Sequence, residues 1–110
     1  MNDETRYNVI RRDLGFCQYC GCDMTTSYAV FGMCEIDHVR SRKMDGTDDL
    51  GNLRLACSGC NKMLARHGRL TTFEARREHI QARLQSDKYK WFPRVQAELW
   101  DLRKKAAQKK

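Results

Sequence analysis

Two Cys-x-x-Cys pairs, Cys17-Gln18-Tyr19-Cys20 and Cys57-Ser58-Gly59-Cys60, stand 36 residues apart in a chain of 110. Each has the form of a knuckle, a tight turn that points two thiolates at one ion, and Gly21 after the first supplies an unusual backbone angle. Together they offer four soft ligands, the set of a closed tetrahedral Zn²⁺ site, which supplies folding free energy that a small core lacks. Six cysteines could instead form disulfides. The opening Met1-Asn2-Asp3-Glu4-Thr5-Arg6, however, lacks the basic-then-apolar layout of an export signal, so a reducing, cytoplasmic setting and bound metal are expected. The 36 intervening residues are too many for a simple ribbon loop. The metal is therefore expected to clamp the ends of a folded insert, and function is to be sought inside it.

A chain of this length has room for one domain, taken as residues 1–110 with a core at about 11–69 and a basic helical extension at 70–110. With 41% hydrophobic and 32% charged residues it should fold in water, and no apolar run reaches the roughly 18 residues of a membrane span. The net charge of +7 is uneven: residues 1–60 carry seven Lys and Arg against nine acids, and residues 61–110 fourteen against five. A basic C-terminal part beside a slightly acidic N-terminal part suits a polyanion-binding surface joined to a cation site.

The pattern of elements predicts an α+β fold. A short helix at Tyr7–Leu14 is stopped by Gly15, Met33–Val39 reads as a strand, and Asn52–Ala56 alternates as a second. Asn61–His67 reads as a helix ended by Gly68. Thr71 and Glu74 form a capping box for a helix to about Gln85, and Pro93 suits the first turn of a last helix striped by Val95, Leu99 and Leu102. The two tail helices are expected to pack back on the domain, with Trp91, Phe92 and Trp100 as anchors.

Inside the insert lie Asp37-His38 and Asn52-Leu53, and Asn61 follows the last cysteine. In this order, with Cys-x-x-Cys-Gly before and Cys-x-x-Cys-Asn after, the chain resembles the HNH endonucleases, the zinc-knuckle branch of the ββα-metal nucleases, over roughly Arg11–Arg66. The resemblance implies a two-stranded hairpin plus helix braced by Zn²⁺ on Cys17, Cys20, Cys57 and Cys60. It implies that Asp37 and Asn61 hold one catalytic divalent cation, that His38 is the general base, and that Asn52 ties down the loop from Val39 to Gly51. Asn61 stands where many members have a histidine, an H-N-N variant that favours harder ligation and hence Mg²⁺ or Mn²⁺. The substrate implied is DNA, with RNA not distinguished, cut to 5′-phosphate and 3′-hydroxyl ends. A monomer would nick, and a homodimer or a subunit of a larger nuclease machine could cut both strands. A bacterial or phage-infected cytoplasm is the setting implied.

The chemistry agrees with these roles: an imidazole is mostly free base at neutral pH and can accept a proton from water, and an oxygen-bound cation steadies charge on a phosphate. Asp37 and His38 are adjacent, so a regular strand sends them to opposite faces, and the strand must end or twist there for both to reach one phosphate. Arg40, Arg42, Lys43, Arg54 and Lys62 are candidates for flanking phosphates, and Arg76, Arg77, Arg83, Lys88, Lys90 and Arg94 for backbone positioning farther out. Cys22 and Cys34 are left over and expected to be buried thiols. Tyr19, Phe16 and Phe31 are expected around the knuckle, His67 at a helix end and His79 on a helix surface. The competing reading is a non-catalytic zinc module that binds nucleic acid or protein, with Asp37, His38 and Asn61 as a polar network.

Overall fold

A computed structural model describes residues 1–109. Helix α1 (Asp3–Arg12) starts four residues before the expected Tyr7 because the Asn2 side chain accepts the Thr5 N–H. Leu14 and Gly15, both at positive φ, then turn the chain into the first knuckle. A single helical turn, α2 (Tyr28–Phe31), leads to strand β1 (Cys34–His38), which pairs antiparallel with β2 (Leu53–Cys57). Helix α3 (Ser58–Leu64) follows at once, then α4 (Phe73–Leu84) and α5 (Asp87–Gln108).

The hairpin register sets Cys34 opposite Cys57, Asp37 opposite Arg54 and His38 opposite Leu53. Glu35 and Asp37 therefore share one face, and Ile36 and His38 the other. The outer edge of β2 is closed by α1's exit: Asp13 accepts the Leu55 N–H at 2.8 Å, and the Gln18 N–H donates to the Leu55 carbonyl at 2.9 Å. Val9, Tyr19, Met24, Leu53, Leu55, Leu64 and Ile80 fill the core around this hairpin. Each contributes about 1.5–3 kcal/mol by burial.

Three expectations about boundaries are corrected. Helix α3 begins at Ser58, not Asn61, because the Cys57 sulfur accepts the Cys60 N–H and so caps it, and it ends at Leu64, short of Gly68. Thr72, not Thr71, caps α4 by accepting the Ala75 N–H. Helix α5 begins at Asp87, so Pro93 lies inside it, where its missing N–H costs one helical hydrogen bond.

The tail packs only in part. Helix α4 buries Arg76 and Ile80, whereas every described residue of α5 from Trp91 onward is exposed. Trp91, Phe92 and Trp100 are thus no anchors: they stand 66%, 68% and 61% exposed. Around the knuckle Tyr19 is buried, but Phe16 and Phe31 are exposed. Cys22 is exposed and Cys34 half-buried, so neither is a deeply buried thiol. No helix among the described residues is long and apolar enough to cross a membrane.

Candidate active site and metal centre

Cys17 and Cys20 come from the turn after α1, Cys57 from the end of β2, and Cys60 from the first turn of α3. Their sulfurs all lie within 4.8 Å of one another. A tetrahedral ion with bonds of about 2.3 Å needs sulfurs about 3.8 Å apart, and the Cys20 and Cys57 sulfurs are 3.9 Å apart. The donor set therefore fits a tightly bound metal ion. Hydrogen bonding within the cluster, first from Cys20, lowers the Cys17 thiol below its ordinary value, and the hydrogen bond to Cys17 raises Cys60 above it. A cation bound here would release the protons of these thiols.

At the end of β1, His38 turns toward the loop that follows. Its Nε2 lies 2.8 Å from Asp48 Oδ1, and Asp48 is also gripped by Arg42 Nη2 at 2.9 and 3.0 Å. His38, together with Arg42, holds the Asp48 carboxyl below the usual carboxylate range, so it is an acceptor near neutrality. Nε2 is then the protonated nitrogen, which leaves Nδ1 as the basic one. The loop is closed from inside by Asn52: Oδ1 accepts the Arg40 N–H at 2.8 Å, and Nδ2 donates to the carbonyls of Arg40 at 2.9 Å and Thr47 at 2.8 Å. Gly46 passes so close to Arg40 that a Cβ there would sit 1.7 Å from the Arg40 carbonyl oxygen. Asp48 was missed in the sequence, where it is one acid among several in a run of turn formers.

The opposite face of β1 is occupied differently. Asp37 is only 3% exposed, and its carboxylate accepts from both Nε and Nη2 of Arg76 and from the Tyr19 hydroxyl. Arg76 also donates from Nη1 to the carbonyls of Leu70 at 3.0 Å and His67 at 3.4 Å. Burial, then the charge of Asp37, pushes the Tyr19 phenol up, so it stays a donor. Asn61 Nδ2 donates to Glu35 Oε1 at 2.9 Å, two residues before Asp37 on the same face. Asp37 and Asn61, expected to share a divalent cation, thus have Arg76 and Glu35 as their partners. As folded, the Asp37 carboxylate is paired with Arg76, and a divalent cation there would have to displace the guanidinium. Arg76, expected at a phosphate, is buried and engaged with this carboxylate; the signal missed was a buried acid in need of a counter-charge.

Arg40, Lys43, Lys62 and Arg77 are exposed, and Arg42 is exposed but paired with Asp48. Arg54 is half-buried, with its guanidinium 4.8 Å above the Phe73 ring. Of the tail cations, the side chain of Lys88 lies outside the described residues. Lys62, Met63, Arg66, His67, Arg83 and Tyr89 line an open groove of roughly 430 Å³ where α3 meets the tail. The His67 and His79 rings are in contact there, 4.1 Å between centroids, and burial, then His67, lowers the His79 pKa.

A four-cysteine cluster able to hold a metal ion, a β-hairpin ending in His38 and a helix capped by Cys57 fall within one continuous stretch of chain. Residues 17–69 match the family model described as HNH endonuclease. Over this segment the chain is similar to the HNH endonucleases. A comparison with curated proteins found no match. The HNH segment begins at the first ligand cysteine and ends just after α3, so it contains the tetrad, the hairpin, His38, Asn52 and Asn61, while Arg76 and α5 lie outside it.

Proposed function

We propose that this protein is a metal-dependent endonuclease that hydrolyses phosphodiester bonds in DNA, with His38 as general base and Zn²⁺ in the four-cysteine site. The observation that carries the reading is the His38–Asp48 pair at the tip of β1. Asp48 fixes the tautomer and orientation of the imidazole, and Nδ1 takes a proton from the attacking water. As the imidazolium forms, the adjacent carboxylate stabilises it. Asn52 holds the loop that presents both groups. Arg40 and Lys43, exposed in the loop that follows His38, and Lys62, exposed on α3, supply positive charge for neighbouring phosphates, with Arg77 on α4. Zinc suits four thiolates, and six free cysteines suit a reducing compartment such as the cytoplasm.

The catalytic cation of the family, Mg²⁺ or Mn²⁺, would steady charge on the phosphate. Its binding by Asp37 and Asn61 requires Arg76 to yield the carboxylate, while Asn61 keeps its Oδ1 as the ligand atom and its Nδ2 on Glu35. That requirement favours a second reading, in which the Asp37–Arg76 pair is permanent and the domain binds nucleic acid without cutting it. Plasmid cleavage at low salt, with Mg²⁺, with Mn²⁺ and with no added cation, separates the two. The nuclease gives cation-dependent nicking that falls by about 10²–10⁴-fold in His38→Ala while the tetrad keeps its metal. Equal cleavage by both proteins overturns His38 as base; salt-sensitive binding without cleavage by either assigns the second reading.

A further inference from the structure

Helix α5 projects from the body in a molecule 57 Å long and only 19 Å in its shortest dimension. From Trp91 on, none of its described residues is buried, yet its sequence is amphipathic. Phe92, Val95, Leu99, Leu102 and Ala106 recur at spacings of three and four, the a and d positions of two heptads. These large side chains stand well exposed, from 39% at Leu99 to 68% at Phe92. Beside them runs a shallow groove of roughly 200 Å³ lined by Phe92, Val95, Gln96, Leu99 and Arg103. An apolar seam with holes along one flank, on a helix that touches little else, needs a partner of matching shape.

We infer that the partner is a second copy of this chain, joined through α5 in a parallel, in-register two-stranded coiled coil. In that register each apolar residue meets its own equivalent, so no a or d position faces a polar one. The flanks also match in charge. Glu98 falls at a g position and Arg103 at the e position five residues on, the spacing at which g and e′ side chains of parallel strands meet. Two Glu98–Arg103 pairs would thus link the copies. Glu98 already pairs with Arg94 along its own helix at 3.0 Å, on an exposed surface from which it can reach either way. Pro93 lies at an outward b position, where its ring does not enter the seam. Dimerisation does not depend on the nuclease reading.

The seam covers about 21 Å of helix, so the dimer should be weak and concentration-dependent. Sedimentation of the full, metal-loaded chain across about 1–200 µM reads it directly. Wild type should pass from monomer to dimer, and Leu99→Lys should weaken association at least about a hundredfold while keeping its metal and helical circular dichroism. Glu98→Arg and Arg103→Glu should each weaken it, and the double exchange Glu98→Arg with Arg103→Glu should restore it. A chain that stays monomeric at the highest concentration, or dimerises equally well with Leu99→Lys, overturns the proposal. Failure of the double exchange to restore association overturns the parallel register. A monomer whose tryptophan fluorescence, from Trp91 and Trp100, changes only on adding duplex DNA assigns the face to nucleic acid and overturns it as well.

Discussion

Removing the Arg76 guanidinium would strand the Asp37 carboxylate in the protein interior with only the Tyr19 hydroxyl to satisfy it. An uncompensated buried charge of this kind costs about 3–5 kcal/mol, so Arg76→Ala should lower the urea midpoint sharply. Arg77→Ala, one residue on and exposed, should stay within about 0.5 kcal/mol of wild type. Mn²⁺ should raise the midpoint of Arg76→Ala more than that of wild type, because in the variant no guanidinium has to yield the Asp37 oxygens to the cation. At this scale the four ligand cysteines were legible because metal chelation demands fixed local spacing. His38 was legible as a lone imidazole inside that frame. Asp48, Tyr19 and Arg76 were not, since each reaches its partner across ten or more residues of folded chain, and nothing in their neighbours marks them.

The segment between β1 and β2 is held by a few polar contacts and one tight approach, with little apolar burial beneath it. Asn52→Ala deletes three hydrogen bonds at once and should cost about 1–3 kcal/mol, with amide exchange speeding up across residues 40–49 before the rest of the molecule. Gly46→Ala should be worse for the loop than Gly51→Ala, since a Cβ at 51 meets nothing within 4 Å. Asn52→Ala and Gly46→Ala would both blur the position of Asp48 and so lower any His38-dependent cleavage, which the plasmid assay reads. The two strands were legible to within a residue, because Ile36 and Leu53 to Leu55 show the period of a half-buried hairpin. The start of α3 was not, because its cap is the sulfur of Cys57, and cysteine is not a residue that signals a helix start. Pro93 misled in the other direction: it marks a first turn by habit, and here α5 runs six residues ahead of it.

For the molecule as a whole, the tetrad joins the exit of α1, the end of β2 and the start of α3 at one point. Cys57 alone terminates a strand, caps a helix and offers a ligand, so chelation should release all three together. Circular dichroism and thermal unfolding after chelator treatment should show loss of cooperative melting, and restored metal should bring it back. The overall architecture was legible up to α4, where periodicity and core agree. The course of α5 was not, because an apolar stripe has the same pattern whether it packs on its own domain or on something else. The closure at the tetrad also ties folding to mass action. Once free metal exceeds its dissociation constant, each tenfold rise adds about 1.4 kcal/mol to the folded state, provided the unfolded chain does not compete for it. One unchanged sequence would then be durable or short-lived according to the metal supply around it.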